Sequence, residues 1–196
     1  MSEQDWVRQA RAGDRAGVEQ LLNAHSTPAY RLALQLVRNP ADAEDAVQNA
    51  LIKAFSHLDR FDDSRPFGPW LLGIVAHEAL NLLRAEKSRF AFWQRQATQP
   101  ESREDDVESL ALVRVEHADI WRAANRLQPN DRLVLILTCL MGFSEADAAT
   151  TMGIKRGTVK SRKHNALLKL RSIIERDFPG LKPEDVALST SEESRP

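Results

Sequence analysis

Apolar residues recur at intervals of three and four along most of this sequence, and that period constrains the fold more than any other feature. Tyr30, Ala33, Leu34 and Val37, for example, have this spacing. Side chains spaced in this way share one face of a helix. No strand-like alternation of apolar and polar residues persists anywhere in the sequence. We therefore expect an all-α protein.

Two further helices are predicted in the amino-terminal half. Asn39 can cap the first of them, and Pro40 suits its first helical position. Its apolar stripe consists of Ala46, Val47, Ala50, Leu51, Ala54, Phe55 and Leu58. Pro69 follows a segment rich in turn residues and is predicted to open the next long helix. The stripe of that helix consists of Trp70, Leu71, Ile74, Val75, Leu82 and Leu83.

A polar, locally acidic segment without any apolar period begins near Gln94. The helical period then returns, with Leu133, Ile136, Leu137 and Leu140 on one predicted face. This organisation predicts two small helical domains joined by a flexible linker, because such a segment cannot bury enough apolar surface to fold. The predicted parts are a first domain at 1–93, the linker at 94–111, a second domain at 112–178 and a disordered tail at 179–196.

The most specific local pattern lies in the second domain and is typical of a helix, a tight turn and a second helix. Ser144 and Asp147 resemble a capping box, and Gly153 can adopt the left-handed backbone that ends a helix. Ala149 would supply a small residue at the contact between the helices, and Val159 an apolar anchor for the second one. The spacing predicts a helix-turn-helix.

The second helix of this motif combines an apolar stripe with positive charge. From 155 to 174 there is no acidic residue, and there are seven basic ones: Lys155, Arg156, Lys160, Arg162, Lys163, Lys169 and Arg171. A basic helix face is often merely solvated. Here the turn glycine, the spacing and the charge agree, so we interpret this face as a binding surface for duplex DNA.

A second basic cluster accompanies aromatic residues at the end of the first domain. Its members are Arg84, Lys87, Arg89, Arg95, Phe90, Phe92 and Trp93. Cations interleaved with aromatic rings suit single-stranded or melted DNA, on whose bases the rings can stack. A solvated helix end with aromatic residues in the core explains the cluster equally well, and the sequence alone leaves both alternatives open.

The sequence gives little support to a catalytic function. His77 and Glu78 begin like the zinc motif HExxH, but the fifth position is Asn81, so the second ligand is missing. The single cysteine, Cys139, cannot form an internal disulfide, and its apolar neighbours favour a buried position. No phosphate-binding loop or dinucleotide motif is present. We predict no enzyme, no cofactor and no metal.

The sequence also lacks the features of membrane insertion and export. No stretch approaches the roughly 18 to 20 apolar residues that a membrane span needs. The first fifteen residues contain no apolar signal core. We therefore expect a cytoplasmic protein without membrane insertion.

Together these segments resemble the extracytoplasmic-function (ECF) sigma factors, the two-domain subunits that give bacterial RNA polymerase its promoter specificity. The resemblance spans about residues 29–174. In the first domain it rests on YRLALQLVRNPADAEDAVQNALIKAF and WLLGIVAHEALNLLR. In the second it rests on LQPNDRLVLILTCLMGFSEADAATTMGIKRGTVKSRKHNALLKLR.

The resemblance implies that the first domain corresponds to sigma region 2 and the second to sigma region 4. The implied contacts to core RNA polymerase are Asp42, Glu44, Asp45 and Gln48. The implied contacts to the minus-10 promoter element are Ser64, Trp70, Asn81, Arg84 and Lys87. The implied contacts to the minus-35 element are Lys155, Arg156, Thr158, Lys160, Ser161, Arg162 and Lys163.

The resemblance also implies control by an anti-sigma factor, in addition to binding of core RNA polymerase and promoter DNA. Two other functions remain as alternatives. An autonomous helix-turn-helix regulator would bind its operators without polymerase and would not need the surface around Asp45 and Gln48. An adaptor that only holds another protein would have no affinity for DNA.

Overall fold

The computed structural model describes residues 2–96 and 118–179, and all regular elements within these ranges are helical. The chain divides into two compact units, Met1–Ser109 and Leu110–Pro196. In the first unit the helices are α1 (Glu3–Arg11), α2 (Arg15–Val37), α3 (Pro40–Ser56), a short 3₁₀ helix (Leu58–Arg60) and α4 (Phe67–Gln96). In the second they are α5 (Ala118–Asn125), α6 (Pro129–Leu135), a π-helical turn (Ile136–Leu140), α7 (Glu145–Met152) and α8 (Arg156–Asp177).

The predicted linker and tail lie almost entirely outside the described residues. Helix α4 continues to Gln96, the third residue of the predicted linker.

The amino-terminal helix α1 is an element that the apolar period did not predict. It begins with a capping box in which the Asp5 backbone N–H donates to Ser2 Oγ (3.2 Å) and the Ser2 N–H donates to Asp5 Oδ2 (2.7 Å). Two orphan amides at the helix start are thereby satisfied. Val7 is its one fully buried residue.

Helix α2 begins fifteen residues before Tyr30, where the first helix was expected. Asp14 caps it, because its Oδ1 accepts from the Ala16 N–H at 2.9 Å. The helix continues through Pro28, which has no N–H to donate to the preceding turn.

The core of the first unit is built where α2, α3 and α4 pack against one another. Helix α3 begins as predicted, since the Asp42 N–H donates to Asn39 Oδ1 (3.1 Å) and Pro40 occupies the first turn. The fully buried residues of α3 are mostly alanines, which allow its neighbours to approach closely.

The buried faces of α2 and α4 differ from the predicted stripes. In the carboxyl-terminal half of α2 the buried residues are Ala29, Leu32, Ala33 and Leu36, and in α4 they include Leu71, Leu72, Val75, Ala76, Ala79 and Leu80. Most residues of the expected faces, among them Tyr30, Leu34, Ile74 and Leu82, are half-buried. Each helix contacts more than one neighbour, so a wide face is buried and the centre of that face does not follow from spacing alone. Helix α4 also begins at Phe67, two residues before the expected Pro69.

The core of the second unit largely follows the predicted stripe. Ile120, Leu127, Leu133 and Leu137 are all buried. Leu140 was expected on the same face but is 46% exposed. The π-helical turn Ile136–Leu140 shifts the helical phase, which rotates Leu140 away from the core. The neighbouring Cys139 is half-buried rather than fully buried.

Candidate nucleic-acid interface

Helices α7 and α8 form the predicted helix-turn-helix. Ser144 caps α7, since its Oγ accepts from the Asp147 N–H at 3.1 Å. Gly153 ends the helix with a φ of 63°, the left-handed region in which a side chain is costly. Two residues later Lys155 stands at the N-cap of α8. The structure thus confirms both the motif and its turn glycine.

The contact between the two helices uses a different alanine from the expected one. Ala148 is completely buried, as is Val159 of α8, whereas Ala149 is only half-buried. The backbone of Ala149 nevertheless has a role in the turn, because its carbonyl accepts from the Ile154 N–H at 3.1 Å. Thr151 completes the buried side of α7.

Helix α8 separates an apolar face from a charged one. Val159, Ala166, Leu170 and Ile174 are buried, at spacings of seven, four and four residues. The predicted minus-35 residues all belong to the amino-terminal half of the helix or to its N-cap. Five of them are exposed (Lys155, Arg156, Thr158, Lys160 and Ser161) and two are half-buried (Arg162 and Lys163).

The positive charges of α8 fall into two groups according to their partners. Lys169 Nζ donates to Asp131 Oδ2 (2.7 Å), and Arg171 Nε donates to Glu175 Oε1 (2.7 Å). In the amino-terminal half, Arg156 Nε contacts Glu145 Oε2 at 3.2 Å. The other four cations there make no ion pair with any residue that the structure describes: Lys155, Lys160, Arg162 and Lys163.

The start of α8 adds further positive potential to these cations. Lys155 makes no capping hydrogen bond with its side chain, and the first turn contains no acidic residue. The free amides of a helix N-terminus attract anions, and a cation there is unfavourable unless an anion offsets it. This end of α8 therefore suits the phosphates of a nucleic acid.

Two of the predicted minus-10 residues are brought together on α4. Arg84 Nη1 donates to Asn81 Oδ1 (2.8 Å), and Asn81 Nδ2 lies 3.1 Å from His77 Nδ1. Because Asn81 Oδ1 accepts from Arg84, the amide nitrogen of Asn81 is the atom that faces His77. The three residues form a polar row along one side of the helix.

Glu78 joins this row to α3. Its Oε1 accepts from Lys53 Nζ at 2.8 Å and lies 3.4 Å from His77 Nδ1. Burial by itself would raise the pKa of Glu78, but the hydrogen bonds to Lys53 and His77 outweigh burial and hold the pKa below its ordinary value. The carboxylate stays charged and anchors the centre of α4.

Trp70 and Ser64 lie elsewhere, near the beginning of α4. The ring centroid of Trp70 is 4.9 Å from that of Phe61 and 5.5 Å from that of Phe67. Ser64 is exposed, and both its N–H (3.0 Å) and its Oγ (2.7 Å) donate to Asp62 Oδ1. These bonds hold the pKa of Asp62 below its ordinary value. About three helical turns along α4 separate Trp70 from Asn81.

The side chains of the remaining members of this set and of the second basic cluster lie outside the described part of the structure. Lys87 is in α4, but its side chain is not among those described, and the same holds for Arg89, Phe90, Phe92, Trp93 and Arg95.

The four residues predicted to contact polymerase lie in the first half of α3. Glu44, Asp45 and Gln48 are exposed, and neither acid forms an ion pair within the described ranges. Asp42 is half-buried in the first turn, where a negative charge also stabilises the helix dipole. Gln48 borders an open groove of about 870 Å³ between α1, α2 and α3, whose apolar wall includes Ile52, exposed at 65%.

Among the described residues, no group of three or more His, Cys, Asp or Glu side chains is arranged so that it could hold a metal ion. Among the described helices, none combines the length and apolar character needed to cross a membrane.

Comparison with known families assigns both units. The Sigma-70 region 2 model matches residues 21–89, and the Sigma-70 region 4 model matches residues 117–170. Helix α1 lies before the first matched segment. The second segment contains the helix-turn-helix up to the buried Leu170.

Individual relatives agree with these matches. The ECF RNA polymerase sigma factor SigL of Mycobacterium tuberculosis is 33% identical over 171 residues, which cover 86% of this chain and 95% of that protein. The RNA polymerase sigma factor NccH of Alcaligenes xylosoxydans xylosoxydans is 31% identical, with 86% and 92% covered.

Among solved structures, the sigma factor RpoE of Bartonella quintana, in complex with the anti-sigma factor NepR, is 26% identical with a TM-score of 0.62. The alignment covers 81% of this chain and 97% of that one. Since both sigma regions match in order and relatives above 30% identity span most of the sequence, this chain belongs to the ECF sigma factors of bacterial RNA polymerase.

Proposed function

We propose that this sigma factor binds core RNA polymerase through α3, reads duplex minus-35 DNA with α8, and captures melted minus-10 DNA with α4 and the loop before it. The observation that carries the proposal is the group of four cations on the amino-terminal half of α8 that form no ion pair within the described residues. Docking and minus-10 recognition belong to residues 1–93, and minus-35 recognition to residues 112–178.

Recognition of the minus-35 element follows from the geometry of α8. The helix buries Val159 and Ala166 in its own unit, which leaves its amino-terminal residues free to enter a major groove. Arginine can donate two hydrogen bonds to a guanine edge, whereas lysine at the helix start neutralises backbone phosphates. We therefore assign base reading to Arg162, and phosphate contacts to Lys155 and Lys160.

Opening of the minus-10 region requires capture of unpaired bases and no covalent step. Asn81 offers an amide to a base edge, and Arg84 holds that amide in place and supplies a charge for the backbone. The exposed loop around Ser64 provides a second contact at the other end of α4. The protein acts here as a binding surface without catalytic activity of its own.

Docking to polymerase is assigned to Glu44, Asp45 and Gln48. The two acids are exposed and form no ion pair with any residue that the structure describes, and such acids suit a basic surface on another protein. The complex of RpoE with NepR supports control of this chain by an anti-sigma factor that covers such surfaces. The protein would act in the cytoplasm, together with polymerase and DNA.

Run-off transcription tests the proposal. Purified core polymerase is assayed with and without this protein on promoter fragments that include the protein's own upstream region. Discrete transcripts that require both components support it. A protein that shifts the DNA alone and yields no transcript would instead be an autonomous regulator.

A further inference from the structure

Arg11, in α1, forms hydrogen bonds and an ion pair with the loop that precedes α4. Its Nη2 donates to the carbonyls of Leu58 (3.0 Å) and Phe61 (2.8 Å), and its Nε also reaches Leu58 (3.2 Å). Nη1 and Nη2 pair with the two carboxylate oxygens of Asp63, at 3.1 and 2.8 Å. One guanidinium thus joins three points of the loop, which lie 47 to 52 residues further along the chain.

The neighbouring arginines make no comparable contacts. The side chain of Arg11 is 33% exposed, whereas those of Arg8 and Arg15 are 66% and 90% exposed. Arg8 pairs with Asp5 of its own helix, and Arg15 pairs with Glu19 of α2. The contacts of Arg11 with Leu58, Phe61 and Asp63, called the clamp below, are therefore specific to position 11. They do not reflect a generally basic helix.

Two more residues of α1 contact the same loop and its junction with α4. Glu3 Oε2 accepts from the N–H of Phe67, the first residue of α4, at 3.1 Å, and Glu3 Oε1 pairs with His25 Nε2 at 2.8 Å. Gln4 Nε2 donates to the carbonyl of Asp63 at 3.3 Å. Contacts from α1 thus fasten the loop from Leu58 to its junction with α4.

The clamp determines which parts of the loop face solvent. Phe61, within the loop, and Phe67, at its junction with α4, have buried side chains. Their burial restrains the loop in addition to the contacts from α1. Between these two residues the chain turns where the Ser64 N–H donates to Asp62 Oδ1, and Ser64 and Arg65 are exposed. A loop fixed in this way presents its exposed tip in one conformation.

We propose that Arg11 is a positioning residue for promoter opening, which acts by holding the 58–66 loop in the conformation that receives melted minus-10 DNA. This inference rests on the minus-10 role proposed above for the loop. The match to Sigma-70 region 2 begins at residue 21 and so does not include α1. Without the clamp, only a fraction of the molecules has a binding-competent loop, and the apparent affinity falls by that fraction.

The test measures binding of single-stranded minus-10 oligonucleotide to holoenzyme that contains the full-length chain. Arg11→Ala is expected to weaken this binding roughly tenfold, the effect of losing several hydrogen bonds from one charged group. Affinities for core polymerase and for minus-35 duplex should stay unchanged. Arg8→Ala is the matched control and should change none of the three. A merely destabilised protein would lose all three affinities together.

A second variant keeps the inference testable if Arg11→Ala does not fold. Asp63→Asn keeps the size of the side chain at position 63 and removes the negative charge that pairs with Arg11. It should weaken single-strand binding in the same selective way. Unchanged single-strand binding in whichever of the two variants folds would overturn the inference.

The role of the loop itself is checked separately by Ser64→Asp combined with Arg65→Glu, which places negative charge at its tip. If this variant binds single strands normally, the proposed minus-10 role of the loop fails, and the inference with it. If it binds weakly while Arg11→Ala binds normally, only the inference fails.

Discussion

Among single residues, Arg162 offers the sharpest test of DNA recognition. It lies half-buried beside the exposed face of α8 and has no partner among the described residues. Arg162→Ala should weaken binding of minus-35 duplex by about 1–3 kcal/mol and reduce discrimination against altered minus-35 sequences, because a bidentate base contact is lost. Fluorescence anisotropy with wild-type and altered duplexes at one salt concentration measures both effects.

Arg171→Ala is the matched control for Arg162. It removes the same charge from the same helix, but Arg171 is paired with Glu175 and lies beyond the proposed contact region. Equal losses of affinity in the two variants would mean that net charge alone drives binding, and the assignment of Arg162 to base reading would be wrong.

Glu78 links the stability of the first unit to pH. A carboxylate whose pKa is lowered by folding contributes stability above its unfolded pKa, and that contribution disappears as pH falls through the folded value. The ordinary pKa is 4.5, so the contribution is complete above that pH and is lost below it. Glu78→Gln should lower Tm near neutral pH, and the difference from wild type should shrink as the pH falls below 4.5.

Thermal unfolding followed by circular dichroism between about pH 6 and pH 3 tests this convergence. Lys53→Met removes the partner of Glu78 from the other side and should reproduce much of the loss near neutral pH. A Tm difference that stays constant over the whole range would show that the charge of Glu78 does not stabilise the fold.

The sequence predicted the cations of α8 but not which of them are neutralised. Lys169 and Arg156 find their partners in Asp131 and Glu145, which are 38 and 11 residues away. Helical period places side chains on a face, but it carries no information about which charges tertiary packing brings opposite that face. Which cations of α8 form ion pairs within the described residues therefore required the structure.

At the scale of elements, the turn between α7 and α8 depends on one glycine. Gly153 has a φ of 63°, and a Cβ added there would meet nothing within 4 Å. Gly153→Ala should therefore destabilise the second unit by about 1 kcal/mol through backbone strain alone. Chemical denaturation of the protein, monitored by a probe in this unit, measures the change.

Gly157 in the first turn of α8 is the matched control. It also has open space around its Cα, but its φ lies outside the left-handed region. Gly157→Ala should leave stability unchanged or raise it by about 0.5–1 kcal/mol, because alanine favours a helix more than glycine does. If both variants lose the same stability, backbone strain at Gly153 is not the cause.

Some elements were readable from the sequence because local chemistry determines them. Asn39 and Ser144 cap their helices as predicted, since these bonds join residues only three apart. Helix α1 was not predicted because it has only nine residues and few of them are apolar, with Val7 alone completely buried. One signal was available in Ser2 and Asp5, which have the spacing of a capping box.

The close packing of α1 on α2 could not be read from the sequence. A Cβ at Gly17 would lie 2.6 Å from the Ala10 nitrogen and from the Trp6 carbonyl oxygen. Only glycine allows the two helices to approach this closely. In the sequence, however, a glycine within a helix equally suggests a break.

At the scale of the whole molecule, the net charge of −1 conceals two local charge patterns of opposite sign. The start of α8 carries cations that form no ion pair in the described part of the chain, and the start of α3 carries the exposed acids Glu44 and Asp45. The two patterns belong to different compact units, so each can meet its own partner. This division predicts that DNA recognition and polymerase binding can be lost separately.

Asp45→Arg tests that division from the polymerase side. Reversal of this charge should weaken binding to core polymerase at least several-fold, because like charges would then face each other at a basic docking surface. Affinity of the isolated protein for minus-35 duplex should stay at the wild-type level, and so should Tm, since Asp45 has no described partner to lose. Competition binding to core polymerase gives the first quantity.

Glu19→Arg is the control for this reversal, because Glu19 is an exposed acid on α2 whose described ion pair, with Arg15, lies within one helix. It should change polymerase affinity little, since Glu19 is not among the proposed docking residues, and it should cost little stability, since exposed ion pairs of this kind contribute little. Arg162→Ala should give the converse pattern, with duplex binding reduced and polymerase affinity retained. If Asp45→Arg and Arg162→Ala each lowered both affinities, the two units would act as one surface, and the separate assignment of α3 and α8 would have to be abandoned.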